Sequence, residues 1–151
     1  MQLKVSSPLG SLYLLSQEGK LTALSFDKKD VPLTTEAKAD FVLKRAKSQL
    51  EEYFAGERQD FDLPLAFSGT DFQVKVWKAL TTIPFGQTIS YKELAKKIHR
   101  PLAVRAVGSA NGKNPFCVIV PCHRVISHNG SLGGYSGGLE KKEKLLALEN
   151  A

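Results

Sequence analysis

The chain contains, from Phe116 to Val125, the sequence Phe-Cys-Val-Ile-Val-Pro-Cys-His-Arg-Val. Its first five residues are apolar and rich in β-branched types, which predicts a buried strand. Pro121 cannot donate a hydrogen bond to a neighbouring strand, so we expect the strand to end there. Cys122 would then lie where a buried strand gives way to a turn, held by a rigid element and able to face a pocket.

A cysteine acts as a nucleophile only as its thiolate, so a reactive Cys122 needs a base or a positive charge nearby. His123 follows directly, but neighbouring residues on an extended strand point to opposite faces. His123 therefore serves Cys122 only if the chain turns here or a water molecule bridges the two side chains. The alternative is an inert, buried cysteine, the commoner state of an isolated cysteine.

Cys117 and Cys122 are the two cysteines of the chain. Five residues apart on an extended segment they face opposite sides, so we expect no disulfide framework and a reducing compartment. A zinc site that adds His123 and His128 to the two cysteines matches no paired-ligand spacing. We therefore expect no metal at this stretch.

The positive charge of the chain is concentrated in its second half. The net charge is +6, from 21 Lys and Arg against 15 Asp and Glu. Residues 1–69 hold nine basic and ten acidic residues, whereas residues 70–151 hold twelve and five. This asymmetry indicates a polyanion-binding domain, nucleic acid being the commonest partner; the alternative is a solvated basic surface.

The length of 151 residues suits one compact unit or two small domains. Residues 57–69 have no regular period and contain aspartate, proline and glycine, which indicates a connection between domains. We place an amino-terminal domain at residues 1–66 and a carboxy-terminal domain at residues 67–151. No apolar run is long enough to cross a membrane and no signal peptide is evident, so we expect a cytoplasmic protein without membrane contact.

The amino-terminal domain is predicted to be an antiparallel meander followed by a helix. Apolar and polar residues alternate around Leu3 and Val5 and again over 12–15 and 21–26, with turn signals between them. From about residue 35 to residue 55 the apolar positions fall at helical spacing. This domain offers no candidate chemistry, so its role is expected to be structural.

Two capping boxes predict helices in the carboxy-terminal domain, Thr70 with Gln73 and Ser90 with Glu93. In the first of these helices Trp77 lies in the apolar stripe, so we expect it in the core and not as a platform for bases. The second helix is short.

A third helix is expected to follow, with Pro101 at its first position. It would end near Gly112. Two short helices with a brief connection in the basic half predict a helix-turn-helix. A glycine-rich loop over 129–138, which permits close approach of a ligand, then leads to a last helix over 139–148 that leaves Glu149 near its end.

These motifs resemble the O6-alkylguanine-DNA alkyltransferases, also called methylated-DNA–protein-cysteine methyltransferases. The resemblance runs from about Thr70 to Glu149 and is carried by Arg105-Ala106-Val107-Gly108, Asn114-Pro115, Pro121-Cys122-His123-Arg124-Val125 and Gly133-Gly134-Tyr135-Ser136-Gly137-Gly138-Leu139. It implies an α+β fold. A small amino-terminal antiparallel three-stranded sheet with a helix, ribonuclease-H-like, is followed by a mostly helical domain with a winged helix-turn-helix.

The resemblance also implies the activity, which is DNA repair by direct reversal of damage. O6-alkylguanine in a duplex is rotated out of the stack, and its alkyl group passes to the Cys122 thiolate in a suicide reaction without a cofactor. O4-alkylthymine stays open as a second substrate. The expected partner is double-stranded DNA, bound through its minor groove by a monomer.

The resemblance assigns roles to individual residues. The catalytic set is Cys122 as nucleophile, His123 as base through a water molecule, Glu149 orienting His123, Asn114 bracing the turn and Tyr91 as proton donor. The DNA-binding set is Arg105, which replaces the flipped nucleotide in the stack, with Ala106, Gly108, Ser109 and Arg124. The substrate pocket is expected to comprise Val125, Leu132, Gly133, Tyr135 and Ser136.

Two other classes compete with this interpretation. A cysteine hydrolase built on Cys122, His123 and Glu149 would need an oxyanion hole and would leave the basic second half without a purpose. A non-catalytic binder of alkylated DNA, like the alkyltransferase-like proteins that lack the cysteine, is disfavoured because Cys122 is present.

Overall fold

The computed structural model describes residues 1–150, which divide into two compact units. The first unit is Met1–Phe67 and the second begins at Ser68, so the division falls one residue after the end of the domain predicted from the sequence. No helix within the described residues is long and apolar enough to cross a membrane.

The first unit contains a three-stranded antiparallel sheet with strand order β1-β2-β3. The strands are β1 (Gln2–Ser7), β2 (Gly10–Gln17) and β3 (Lys20–Ser25). Leu3 pairs with Leu14, and Val5 pairs with Leu12. All four of these side chains are buried, as alternation along a half-buried strand requires. The predicted meander is confirmed.

The helix of this unit, α1 (Phe41–Phe54), begins later than the sequence predicts. Asp40 is its N-cap and accepts a hydrogen bond from the Leu43 backbone N–H at 2.9 Å. Thr35 instead caps a separate 3-10 turn, Glu36–Lys38, and Ala39 is extended. The stretch with helical spacing therefore contains two separate helix starts, one at Thr35 and one at Asp40. The predicted start of the α-helix at residue 35 is wrong. α1 packs on the sheet through a buried apolar face.

The second unit is built from short helices, as predicted. Its first three are α2 (Asp71–Leu80), α3 (Tyr91–Lys97) and α4 (Val104–Gly112), and α4 packs against both of the others. Both predicted capping boxes are present. The predicted start of α4 at Pro101 is wrong, because Pro101 and Leu102 form a turn and the helix begins at Val104.

The apolar stretch Phe116–Val120 is buried, but it is not a strand. Its backbone closes on itself, with the Val120 N–H donating to the Phe116 carbonyl at 2.9 Å. The Asn114 side chain accepts from the Phe116 N–H at 2.9 Å and donates to the Val120 carbonyl at 2.8 Å. Val118 adopts φ 71°, a strained conformation for a β-branched residue. An asparagine side chain thus replaces the neighbouring strand as hydrogen-bond partner, and the strand prediction is wrong.

The segment after this turn completes the unit. A 3-10 turn, Cys122–Arg124, leads into β5 (Val125–Ile126), which pairs in parallel with β4 (Ile89–Ser90). The glycine-rich loop follows, and α5 (Leu139–Glu149) ends the described chain.

Trp77 lies in the core, as predicted. It is 2% exposed, and its indole N–H donates to the Ala110 carbonyl at 2.8 Å. This bond connects α2 to the end of α4, so Trp77 sets the spacing of two helices that support the site.

We expect Trp77→Phe to destabilise the protein by about 1–3 kcal/mol, because the buried hydrogen bond between α2 and α4 is lost and the smaller ring leaves a cavity in the core. Because Trp77 is the only tryptophan, unfolding in urea should be followed by circular dichroism. Phe41→Ala is the control, since Phe41 is 79% exposed and its removal should change stability by less than about 0.5 kcal/mol. An unchanged midpoint for Trp77→Phe would show that the indole bond does not support the fold.

Candidate active site

Cys122 opens the 3-10 turn Cys122–Arg124, and the turn is what brings three chemically active side chains to one place. The Cys122 N–H donates to the Val120 carbonyl at 2.8 Å, and the Arg124 N–H donates to the Pro121 carbonyl at 3.0 Å. The backbone is therefore not extended here, so the objection that adjacent side chains point to opposite faces does not apply. Cys122 is 3% exposed.

The carboxylate of Glu149 joins two of these residues to the end of α5. His123 Nε2 lies 2.8 Å from Glu149 Oε2. Arg124 donates Nε to Glu149 Oε1 at 2.8 Å and a terminal nitrogen to Oε2 at 2.9 Å, a bidentate pair. The Glu149 side chain is 1% exposed, so this is a fully desolvated ionic network.

The network fixes the protonation of His123. A carboxylate only accepts hydrogen bonds, so Nε2 carries a proton, and in the neutral ring Nδ1 is then the acceptor. Burial lowers the pKa of His123, although the neighbouring Glu149 carboxylate acts in the opposite direction. His123 Nδ1 has no hydrogen-bond partner among the residues that the structure describes. The ring is therefore held through Nε2, and Nδ1 is left without a partner among the described residues.

Burial has the opposite effect on the thiols. It raises the pKa of Cys122, while a hydrogen bond from Asn114 and the positive charge of Lys142 lower it. The pKa of Cys117 is also raised, again chiefly by burial. Cys117 is buried in the turn before Pro121 and forms no disulfide with Cys122. Of the two thiols, Cys122 is the one whose pKa is lowered by a hydrogen bond from a side chain, that of Asn114.

A cavity of about 590 Å³ lies between the helices α3 and α4 and the loop that follows β5. Tyr91, Arg105 and Asn111 line it from the helices, and Tyr135 and Ser136 line it from the loop. Cys122 itself is not in the lining. Asn111 connects the two, because its side-chain amide also donates to the Cys122 carbonyl at 3.4 Å.

Tyr91 forms part of the cavity wall and is in close contact with the loop. A Cβ at Gly133 would lie 2.7 Å from the Tyr91 hydroxyl oxygen, and Gly133 has φ 71°. Only glycine fits both constraints, so this residue lets the loop approach the phenol. Burial raises the pKa of Tyr91, partly offset by a hydrogen bond from the Gly134 backbone.

The remaining predicted pocket residues lie beside the cavity. Gly133 lines it together with Tyr135 and Ser136. Leu132 and Val125 do not line it, but their backbone carbonyls both accept hydrogen bonds from Lys142. The loop and β5 are thus connected by a side chain behind the cavity.

The outer face of α4 carries the predicted DNA-binding residues. Arg105, Ala106 and Ser109 are exposed, whereas Val107 and Ala110 are buried on the opposite face. Gly108 lies over the Tyr91 ring, where an added Cβ would be 3.8 Å from Cδ1. This face carries small side chains and one long basic side chain, Arg105.

Arg124 does not belong to that face, although the sequence interpretation placed it with the DNA-binding residues. It is 5% exposed. Its guanidinium is bound to Glu149 and to the Ile83 carbonyl at 2.7 Å, and it lies 5.7 Å from the centre of the Phe85 ring. A buried guanidinium with these partners is not positioned for a phosphate, so we assign Arg124 to the Glu149 network.

Sequence reasoning missed two residues of the site, Asn111 and Lys142. Both are buried polar side chains on helix faces that otherwise pack inward. Lys142 precedes the buried Leu145 by three residues and Glu149 by seven, which places all three on one face of α5. This spacing in the sequence places Lys142 on the buried face of the helix, and it is the signal that could have identified the residue.

A metal site is not found in the described part of the chain. No group of three or more His, Cys, Asp and Glu side chains there is arranged to hold a metal ion.

Both units of the chain match domains of known protein families. Residues 4–67 match the profile of the 6-O-methylguanine DNA methyltransferase ribonuclease-like domain, and residues 71–151 match that of its DNA-binding domain. A methylated-DNA–protein-cysteine methyltransferase of Methanosarcina barkeri is 48% identical over 150 residues, covering 96% of this chain and 94% of that protein. The constitutive enzyme of Bacillus subtilis is 47% identical, covering 95% and 91%.

Solved structures give the same result. The Mycobacterium tuberculosis OGT protein in complex with DNA is similar with a TM-score of 0.88 and 46% identity, covering 99% of this chain and 92% of that chain. An O6-methylguanine DNA methyltransferase of Methanococcus jannaschii has a TM-score of 0.68 and 30% identity, covering 99% and 93%. With its turn at Cys122, its buried Glu149 network and both of its units matched, the chain belongs to the methylated-DNA–protein-cysteine methyltransferase family.

Proposed function

We propose that this chain repairs double-stranded DNA containing O6-alkylguanine by moving the alkyl group onto Cys122 in one irreversible step. The observation that carries the proposal is the buried series of side chains at the Cys122 turn, in which Glu149 holds His123 with its basic nitrogen available. Family membership supports it, since the relatives are named for this transfer and one neighbouring structure contains DNA.

The outer face of α4 is proposed to enter the minor groove. A base inside a duplex has to leave the stack before it can react, at a cost of a few kcal/mol. The small side chains Ala106 and Ser109 allow close approach, and the flat guanidinium of Arg105 fills the space that the flipped nucleotide leaves. The basic charge of this half of the chain supplies attraction to phosphate.

The flipped base is proposed to occupy the cavity between α4 and the loop after β5. The carbonyls of Cys122 and Val125 would accept from its exocyclic amine, and Ser136 would approach O6. The Val125 carbonyl already accepts from Lys142 at 2.7 Å, but a carbonyl oxygen has a second lone pair for the base. Tyr135, Leu132 and Gly133 would surround the alkyl group.

His123 is proposed to generate the thiolate. Its Nδ1 accepts the Cys122 proton through one water molecule, and the Glu149 carboxylate stabilises the imidazolium that forms. Arg124 keeps Glu149 ionised and in place through its two hydrogen bonds. Asn114 holds the preceding turn closed, which fixes the position of the sulfur.

The thiolate then displaces guanine from the alkyl carbon. The new bond joins Cys122 Sγ to that carbon, the carbon–O6 bond breaks, and its electron pair passes to the guanine ring. The ordinary pKa of tyrosine lies well above 7 and burial raises that of Tyr91 further, so Tyr91 is protonated at neutral pH and can donate toward the departing base. Such positioned acid catalysis is worth roughly 10²–10⁴ in rate.

The product is a thioether, which water does not hydrolyse, so each chain reacts once. All of the proposed catalytic residues come from a single chain, which suits a monomer acting on one lesion. A thiol of this kind has to stay reduced, and we therefore propose the cytoplasm as its place of action.

Incubation with a short duplex that contains O6-methylguanine should raise the intact mass of the protein by one methyl group in place of one hydrogen, saturating at one per chain. Cys122→Ser should show no increase. Cys117→Ser is the matched control and should still be methylated, because the hydrogen bond from Asn114 and the proposed base act on the Cys122 thiol. Mass spectrometry gives all three results.

Two outcomes would contradict the proposal. An unchanged mass with retained binding to the lesion would identify a non-catalytic binder. Consumption of the lesion in excess of protein, without a stable adduct, would indicate a hydrolase.

Arg105→Ala should slow methyl transfer from duplex DNA by about 10- to 100-fold, because part of the few kcal/mol needed to flip the base is no longer recovered. Transfer from a single-stranded oligonucleotide should change much less, since no stack has to be filled. Single-turnover rates on the two substrates test this, with Lys20→Ala in the first unit as the control for lost charge. An equal loss on both substrates would remove Arg105 from the flipping step.

A further inference from the structure

Lys142 is the only lysine of the described chain whose side chain is completely buried, with 0% exposure. It lies on the inward face of α5 with Leu145 and Glu149. Lysine is almost never fully buried without a partner, so we infer the role of Lys142 from the residues around its ammonium group.

The Lys142 ammonium donates to three backbone carbonyls. These are Val125 at 2.7 Å, Gly134 at 3.1 Å, and Leu132. An ammonium group has three N–H donors, so all of them are used. The acceptors come from β5 on one side and from the cavity loop on the other, and the lysine joins the two.

This connection holds the loop against Tyr91. The acceptors Leu132 and Gly134 flank Gly133, whose backbone is in close contact with the Tyr91 hydroxyl. The Lys142 Nζ lies 6.0 Å from the centre of the Tyr91 ring. Loss of the ammonium would therefore release the part of the loop that shapes the cavity.

The ammonium charge has no carboxylate partner within ion-pair distance in the described residues. Carbonyl dipoles alone compensate poorly for a buried charge. The neighbouring group that gains a negative charge during the reaction is Cys122. Burial lowers the pKa of Lys142 to about 8, and the charge of Cys122 raises it. The reciprocal effect of Lys142 lowers the pKa of Cys122.

We propose that Lys142 is a positioning residue for alkyl transfer, which fixes the cavity loop against Tyr91 through backbone carbonyls and stabilises the Cys122 thiolate with its buried charge. The inference rests on the proposed function, because it assigns a role within that reaction.

Other charged and titratable groups surround Cys122 and have to be held constant in a test. His123, Arg124 and Glu149 belong to the buried network, Tyr91 comes from α3, and Cys117 comes from the preceding turn. Because coupled groups titrate together, a measured titration midpoint belongs to all of these groups and not to Cys122 alone. The informative quantity is therefore the shift of that midpoint when Lys142 is substituted.

The experiment compares Lys142→Met, which removes the charge and the donors, with Lys142→Arg, which keeps a charge. Lys144→Met is the control from the same helix, because the Lys144 side chain is 53% exposed. In a Cys117→Ala background Cys122 is the remaining thiol, and its rate of reaction with iodoacetamide is measured between pH 6 and 10. The pH at which the rate reaches half of its maximum measures thiolate formation. The maximal rate, reached as a plateau at high pH, measures access to the thiol through the loop.

For Lys142→Met we expect the midpoint to rise by about one pH unit, which is tenfold less thiolate below the midpoint. The plateau should also change, because the loop is released. Lys142→Arg should keep the midpoint of the parent and alter the plateau alone. Methyl transfer from an O6-methylguanine duplex at pH 7 should fall at least about tenfold in Lys142→Met, following the lost thiolate. Lys144→Met should match the parent in every measurement.

An unshifted midpoint in folded Lys142→Met would overturn the thiolate role, and an unchanged plateau would overturn the loop role. If neither variant folds, nitrogen NMR of Lys142 decides. Its titration midpoint should be lower in Cys122→Ser than in the parent, and equal midpoints would refute the coupling. Failure of the proposed function would look different, because the unsubstituted protein itself would then accept no methyl group.

Discussion

The buried carboxylate of Glu149 is the interaction on which the site depends. It accepts hydrogen bonds from His123 and twice from Arg124, so the end of α5 is joined to the turn that begins at Cys122. Arg124 extends the connection to the Ile83 carbonyl, just beyond α2. Removing one partner of such a buried pair leaves an uncompensated charge and costs about 3–5 kcal/mol. The geometry around the nucleophile is therefore part of the stability of the second unit.

The low polarity of this interior also sets the chemistry. Burial raises the pKa of Cys122 and lowers that of His123, which favours the neutral form of both groups. A resting thiolate would react with any electrophile that reached it. Here the thiol is 3% exposed and does not line the cavity. In the proposed reaction His123, the ammonium of Lys142 and the amide of Asn114 promote its ionisation. Burial thus shields the Cys122 thiol from solvent and also strengthens its electrostatic interactions with the groups proposed to ionise it.

Sequence predicted the elements whose signals are local. The capping boxes at Thr70 and Ser90 correctly predicted two helices, and the Cys122-His123 pair indicated the candidate site. The apolar run Phe116–Val120 misled because apolar composition determines burial but not backbone conformation, and the hydrogen bonds of that segment come from the Asn114 side chain. Arg124 and Lys142 were misplaced or missed for one reason. A charged residue is assumed to face solvent, and its burial depends on partners up to 41 residues away in the chain.

In the proposed reaction Glu149 keeps His123 as a neutral ring protonated on Nε2, and Nδ1 acts as the base. Nitrogen-15 NMR of the imidazole rings reports this directly, and the His123 signals are assigned by their loss in His123→Gln. At pH 7 we expect a protonated Nε2 and an unprotonated Nδ1, and Glu149→Gln should disturb that pattern. A ring protonated on Nδ1 alone, or on both nitrogens, would leave no base for Cys122 and would contradict the account.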